Sequence, residues 1–321
     1  MKTKNPTSTF ALVDANNFYV SCERLFNPKL CGKPVGVLSN NDGCVVSRSY
    51  ELKELGVPMG APVFKIEHLV KKHGIVLLSS NYALYGELSA RMMSILMQHV
   101  PDVCIYSIDE SFLDLTTLEA NYDLDNLAKK LVKTIYRQIG IPISIGIGST
   151  KTLAKAANAW VKQHKIKSHI YQFSTPYQMD NVLKRLSVSD IWGIGRRWSQ
   201  SLNQLGFTHA LALKRANPDV IQKQFNVTLK KTVLELNGDS VIDIEGSNAD
   251  RKQILSSQSF GERQTELSVI KQALANHVTR ATEKLRQQNS VCSGVNVFLQ
   301  TSLYVEEKYR NAHFFALPHP T

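Results

Sequence analysis

Paired cysteines, long apolar runs and internal repeats are all missing from this 321-residue sequence, and each absence removes a class of protein. The five cysteines, at 22, 31, 44, 104 and 292, are odd in number and show no paired short spacing. That excludes a disulfide framework and the common zinc modules and leaves reduced thiols. No apolar run approaches a membrane span, and "FALV", which follows Lys2 and Lys4, is too short for a signal-peptide core, so a cytoplasmic protein with no membrane partner is expected. Low-complexity tracts are absent as well. Acidic residues are the last shortage. Against 38 Lys and Arg stand 27 Asp and Glu, a formal net charge of +11, which points to a polyanionic partner, nucleic acid ahead of an acidic membrane surface.

What is present is a chain too long for one hydrophobic core, so two or more domains are expected. "TFALVDANNFYVSCERLF" reads as a strand from Phe10 to Val13 that stops at Asp14 and passes through Asn16 and Asn17 into a helical turn. "KPVGVLSNNDGCVVSRSYELKELGVPMGAP" follows, with a strand, a turn at Asn40 to Gly43 and a short helix stopped by Gly56 and Pro58. Leu88, Met92, Ile95 and Leu96 keep helical spacing and lead into "VCIYSIDESFLDL", whose two apolar arms form a hairpin. A helix around Leu127, Leu131 and Ile135 precedes the strand "IPISIGIG". This order predicts an α+β chain built on a ferredoxin-like layer with an insertion after its first strand, which would bring Asp14 near the hairpin. Farther on, "LSVSDIWGIGRRWSQSLNQLGF" reads as two short helices, and the polar stretch "NGDSVIDIEGSNADRKQ" as a linker. The last unit should hold a strand near Ser256 to Phe260, a helix with Ile270, Leu274, Val278 and Leu285 on one face, and a strand alternating at Val295, Val297 and Leu299.

Three features carry chemistry. Asp109 and Glu110 stand between core arms, where two neighbouring carboxylates repel each other and are costly to desolvate without a partner. With Asp14 on an adjacent strand they would make a hard oxygen site suited to magnesium, and a pair of such ions serves in-line displacement at phosphorus. The alternative is an exposed turn. Lys151, Lys155 and Lys162 lie at i, i+4 and i+11, within roughly 40° of one another on a helix that Ser149 or Thr150 can cap. They form either a solvated basic face or a contact with phosphates. Gly193-Ile194-Gly195, followed by Arg196 and Arg197, leaves amides free at a helix start, where a DNA phosphate can be held without sequence readout; an ordinary helical hairpin is the alternative.

With these pieces in place, the sequence resembles the Y-family translesion DNA polymerases, and within them the UmuC type. "FALVDANNFYVSCE", "VLSNNDGCVVSRSYELKELGVPMG", "YSIDESFLDL", "GIGSTKTLAKAAN" and "DIWGIGRR" look like that family's motifs in the family's order, and the likeness runs from about Phe10 onward. The resemblance implies a ferredoxin-like palm with inserted fingers, a helical thumb with a helix-hairpin-helix, and an α+β little finger. It suggests palm at 1–18 and 81–172, fingers at 19–80, thumb at 173–240, and a linker with a partial little finger at 241–321.

Carried over position by position, the resemblance implies that Asp14, Asp109 and Glu110 bind two Mg2+ ions with the carbonyl of Ala15, Asp109 and Glu110 being the catalytic pair. Tyr19 would be the steric gate against a ribose 2′-hydroxyl, with Phe18 beside it. Tyr50, Lys53 and Lys162 would hold the incoming triphosphate; Lys53 stands where many relatives have arginine and supplies charge without a planar fork. Lys151, Lys155, Gly193, Gly195, Arg196 and Arg197 would contact DNA. The implied activity is error-prone translesion synthesis in the DNA damage (SOS) response, on primer-template DNA and deoxyribonucleoside triphosphates, with a processed UmuD dimer and RecA as partners. The family's tail, which carries a sliding-clamp segment, is not expected in a chain that stops after one helix and two or three strands of the last unit. Two other readings are a DNA-binding remnant of such an enzyme and a nucleotidyl cyclase, whose palm-like fold also places carboxylates on neighbouring strands.

Overall fold

The computed structural model describes residues 8–243, 252–302 and 304–320. Its central strand, β1 (Phe10–Ala15), is buried along its whole length. The strand runs two residues past Val13, so Asp14 lies inside it rather than after it, paired with neighbours on both sides.

An insertion follows: α1 (Phe18–Phe26), β2 (Val35–Leu38), β3 (Val45–Arg48), α2 (Tyr50–Glu54), α3 (Val63–His73) and β4 (Val76–Leu78). Its three strands make a separate small sheet in the order β3-β2-β4, with a core of its own that includes Val45, Leu52 and Ile66. The chain then resumes the main layer with α4 (Tyr82–His99), β5 (Asp102–Ile105), β6 (Glu110–Asp114), α5 (Leu124–Ile139), β7 (Ile143–Gly148), α6 (Lys151–Gln163) and β8 (Ile170–Gln172). The five-stranded sheet has the order β5-β6-β1-β7-β8. Each neighbouring pair among its first four strands is antiparallel, as in the ferredoxin-like arrangement, and β8 adds parallel to β7.

The two faces of this sheet are covered differently. Ala11 and Val13 point into the large core with Leu88, Met92 and Leu96 of α4 and Leu131 and Ile135 of α5. On α5 the buried residues Leu124, Ala128, Leu131, Ile135 and Ile139 form one stripe. The Asp123 carboxylate caps the helix by accepting from the amides of Asp125 and Asn126, and Gly140 ends it at φ 83, a left-handed conformation that favours glycine. Phe10 and Leu12 face the other way, onto Ala154 of α6. Gly146 makes this close approach feasible: a Cβ there would sit 2.2 Å from the carbonyl oxygen of Ala154 and from the amide nitrogen of Asn158. Helix α6 therefore lies almost on the backbone of β7, beside the end of β1 that carries Asp14.

Next come α7 (Pro176–Arg185), a short turn (Val188–Asp190), α8 (Arg196–Gln204), α9 (Ala210–Lys214), α10 (Pro218–Gln224) and α11 (Val227–Leu236), packed around Leu183, Leu202, Leu213 and Val233. The first of the two helices expected around the Gly-Ile-Gly turn is thus a single 3-10 turn. Glu235 of α11 is fully buried, yet satisfied. Its Oε2 accepts from the Thr152 amide at 3.0 Å and its Oε1 from the amides of Val241 and Ile242 at 2.9 and 3.0 Å. One carboxylate thereby joins α11 to the start of α6 and to the chain leaving the helical region. Thr150 caps α6, its hydroxyl accepting from Leu153 and donating to the carbonyl of Glu235.

The chain divides into two compact units at Ser247/Asn248. Of the expected linker, residues 244–251 lie outside the described residues. The second unit contains α12 (Leu267–Gln287) and an antiparallel pair, β9 (Gly294–Gln300) and β10 (Arg310–Ala316). The strand expected near Ser256 to Phe260 does not form: this stretch has no ladder partner, because β9 pairs with β10. It carries one large apolar side chain, Phe260, which remains exposed, so burial does not favour ordering it as a strand. Its Ser256 hydroxyl instead pairs with His277 of α12. None of the described residues of this unit is buried.

Candidate active site

The pairing of β1 with β6 puts Asp14 directly opposite Glu110. Beside them the Ala15 amide donates to the carbonyl of Asp109 at 2.8 Å, and the amides of Tyr106 and Ser107 donate to the carbonyl of Glu110 at 3.0 and 3.1 Å. Ser107 holds the turn: its hydroxyl donates to Asp109 Oδ1 at 2.6 Å and accepts from the amides of Asp109 and Glu110. Asp109 thus closes the hairpin and Glu110 opens β6, its side chain only 17% exposed. An exposed polar turn does not describe this pair.

Helix α6 supplies the counter-charges. Lys162 forms an ion pair with Asp14, and Lys155 pairs with Glu110 at 2.9 Å. Burial, helped by the neighbouring Glu110 and Asp109 charges, holds the Asp14 carboxyl up at about 7, against the pull of Lys162. With each carboxylate turned toward its own partner, no three acidic, His or Cys side chains converge on a common point among the described residues. The donor set nevertheless suits a hard cation: all oxygen, largely desolvated, and neutralised by two ammoniums that a divalent ion could replace.

Next to Asp14 opens a cavity of about 330 Å³ whose lining includes Asn16, Asn17, Tyr50, Lys53, Lys162 and Lys165. Its chemistry suits a polyanion. Burial and the nearby Arg48 and Lys162 cations bring the Lys53 ammonium down to about 8, and it donates to Asn17 Oδ1 at 2.5 Å. Asn17 sits in the left-handed region at φ 49 and starts α1 without a side-chain cap, so the first amides of that helix lack a side-chain acceptor. Asn16 is 2% exposed; Ser144 donates to its Oδ1 at 2.8 Å, and its side-chain nitrogen is buried without a partner among the described residues. Lys165 pairs with Glu54 at 2.7 Å across this cavity.

Tyr19 lies half-buried on the first turn of α1, stacked on Tyr85 with centroids 4.4 Å and planes 13° apart. Burial raises its phenol above the ordinary range. Phe18 is buried in the main core behind it, at 5.8 Å between centroids, so it supports Tyr19 rather than lining the cavity. Tyr50 and Lys53 face each other, the ammonium 5.1 Å from the ring centre.

Lys151 and Lys155, which the resemblance assigns to DNA, both have partners within the chain. Lys151 donates to the carbonyl of Ile242 at 2.9 Å and covers the Phe10 ring, while Lys155 is committed to Glu110. The glycines of β7 bring α6 so close to the sheet that its basic face meets carboxylates and carbonyls before solvent. Gly193, Gly195, Arg196 and Arg197 are exposed. Gly193 takes φ 82, and α8 begins at Gly195 without a side-chain cap.

Sequence reasoning missed Asn16, Asn17, Ser107, Lys165 and Glu235. The first two and Ser107 lie inside the quoted motifs and could have been flagged as turn and cap formers. Lys165 and Glu235 carry no local signal, since their partners are distant in sequence.

The chain is similar to known proteins along most of its length. The impB/mucB/samB family matches residues 13–159, and the impB/mucB/samB family C-terminal domain matches residues 251–321. The chain is 41% identical to Protein UmuC of Salmonella typhimurium over 315 residues, covering 97% of this chain and 75% of that one. It is 43% identical to Protein SamB of Salmonella typhimurium over 303 residues, covering 94% and 72%. Among solved structures, a Y-family DNA polymerase chimera of Dbh and Dpo4 superimposes with a TM-score of 0.76 at 22% identity, covering 97% of this chain and 88% of that chain.

Proposed function

Because the chain belongs to the impB/mucB/samB family, the UmuC-type Y-family DNA polymerases, we infer that it extends primer 3′ ends on damaged templates as an error-prone translesion DNA polymerase of the SOS response. The observation that carries this reading is the placement of Asp14 opposite Glu110, with Asp109 beside them, and the pairing of Asp14 with Lys162, which lines a cavity that also holds Lys53 and Lys165.

The family requires a divalent metal, and we assign two Mg2+ ions to Asp14, Asp109, Glu110 and the carbonyl of Ala15. When bound, such ions neutralise charge developing on the phosphoryl oxygens and the leaving group. The chain's own residues do the rest by positioning and electrostatics, with no covalent intermediate. Tyr50, Lys53 and Lys162 hold the triphosphate, and the amides that open α1 donate to its oxygens. The primer 3′-hydroxyl attacks the α-phosphorus, the bond to the bridging oxygen breaks, and pyrophosphate leaves. Lys162, paired with Asp14, is close enough to exchange that partner for a phosphate. Tyr19 excludes a ribose 2′-hydroxyl, its ring braced by Tyr85 and Tyr82.

Gly193, Gly195, Arg196 and Arg197 hold a phosphate of the duplex at the start of α8, without reading sequence. We assign the palm to the five-stranded sheet with its helices, the fingers to the three-stranded insertion, the thumb to α7 through α11, and the little finger to the second unit. A processed UmuD dimer and RecA are the proposed protein partners, and the cytoplasm the proposed location. Among the described residues no helix is long and apolar enough to cross a membrane.

Magnesium-dependent extension of a labelled primer on undamaged and abasic templates tests this reading, with DNA binding measured in parallel. Extension by the parent, and its loss in Asp109→Ala/Glu110→Ala with binding retained, is the expected result. Binding without extension by the parent would overturn it in favour of a DNA-binding remnant.

A further inference from the structure

An aromatic cluster beside Glu110 has no part in the function above. The Lys155 ammonium that meets Glu110 at 2.9 Å also lies 4.5 Å from the centre of the Tyr106 ring and 5.5 Å from that of Trp192. The two rings meet edge to face, 5.6 Å apart at 89°, and the Trp192 indole N–H donates to the Tyr106 hydroxyl at 3.0 Å. Phe112, buried next to them, fixes both from below at 5.7 and 5.6 Å. Tyr106 and Phe112 belong to the β5-β6 hairpin, whereas Trp192 immediately precedes the Gly193-Ile194-Gly195 turn. One cation therefore has two kinds of partner, a carboxylate and a pair of π faces, and the second kind is contributed partly by the element assigned to DNA.

A cation resting on a carboxylate competes with any other cation for it. If a divalent ion takes Glu110, Lys155 loses most of that attraction and is repelled by the ion. The ring faces are then what keeps a partly desolvated ammonium favourable nearby. We propose that Lys155 is the exchangeable counter-ion of Glu110, and that Tyr106 and Trp192 form the seat that holds it once a metal displaces it. Trp192 then sets how readily the palm carboxylate accepts a metal. Lys155 is in this role a positioning residue. The proposal rests on the reading of Asp14, Asp109 and Glu110 as metal ligands.

Binding of Mn2+ alone to the full chain, followed by electron paramagnetic resonance without DNA or nucleotide, tests it. Lys155→Met keeps the aliphatic stem but removes the competing charge, and should tighten Mn2+ binding roughly tenfold. Trp192→Ala should weaken it by roughly two- to fivefold, the size of a partly exposed cation–π contact, while Trp192→Phe, which keeps a π face, stays near the parent. In the Lys155→Met background Trp192→Ala should have no effect, because no ammonium needs a seat. Should Trp192→Ala not fold, Tyr106→Leu makes the same comparison at an exposed ring. Equal losses in both backgrounds, or unchanged or weaker binding in Lys155→Met, overturn the proposal. Asp109→Asn/Glu110→Gln separates the two layers. If Mn2+ binding survives in that variant, or the parent binds none, the ligand reading fails and the proposal with it; if binding is lost there but the cycle shows no coupling, the proposal alone fails.

Discussion

Asp14 concentrates the conflict between stability and activity. Its carboxyl has an ordinary value of 3.8 and sits at about 7 in the fold, chiefly through burial. The folded chain thus keeps a proton that unfolding releases, and the metal-free protein loses stability as pH rises from about 4 to about 7. Asp14→Asn should remove most of that slope while abolishing primer extension. Denaturant titrations in EDTA at pH 5 and pH 8 measure it, and an unchanged difference between the two pH values would assign the slope to other groups. Mg2+ competes with the same proton, so its stabilising effect should grow over that interval. Tyr19 makes a second residue-scale case. Its ring is stacked on Tyr85, whose hydroxyl donates to Glu23 Oε1 at 2.7 Å, so it has little freedom to yield. Tyr19→Ala should reduce discrimination against ribonucleotides by at least about tenfold, or about 1.4 kcal/mol, in the ratio of insertion efficiencies, and Tyr19→Phe should preserve it. Unchanged ratios in Tyr19→Ala would remove Tyr19 from the gate.

At the scale of elements, the site depends on how close α6 comes to β7. The space at Gly146 is filled by the backbone of α6 itself, which cannot yield by a rotamer change. Gly146→Ala should therefore cost about 3 kcal/mol or more in thermal or denaturant unfolding. Gly43→Ala, where a Cβ would meet only the Asn41 side chain at 3.5 Å, should be nearly neutral by the same measurement. A Gly146→Ala variant as stable as the parent would mean that α6 can back away without loss. Glu235 fixes the other end of the arrangement, since its carboxylate accepts the amides of Thr152, Val241 and Ile242. The elements themselves were largely legible in the sequence: the stripe of α5, the cap of α6 and the hairpin arms all follow local periodicity and capping. The Ser256 to Phe260 strand was not, because a strand needs a partner and β9 had another.

For the whole molecule, the net charge of +11 bears on association with DNA more than on the fold. Each phosphate contact releases counter-ions, so duplex binding should weaken steeply with salt. Arg196→Ala/Arg197→Ala should lower the slope of log affinity against log salt by about 2, measured by anisotropy of a labelled duplex over a potassium chloride series. An unchanged slope would take those arginines off the phosphates. The two units differ in kind: the first, Met1–Ser247, holds the buried cores, and the described part of the second, Asn248–Thr321, buries no residue. Substitutions in α12, β9 or β10 are accordingly expected to change binding more than unfolding of the first unit.

The sequence by itself determined the order of the main-layer elements from β1 to β7, the family, and the residue types that face the reaction, because each is written in local spacing: carboxylates between apolar arms, lysines at helical intervals, glycines flanking a turn. The tertiary structure decided what those side chains touch. Lys155 and Lys162 were legible as one basic face, but only the packing of α6 across β1 and β6 showed that this face meets Glu110 and Asp14. Phe18 moved into the core and Trp192 came to rest beside Tyr106 for the same reason. Periodicity reports a residue's direction from its own element's axis; its partner lies on another element, brought there by burial of surfaces far apart in the chain.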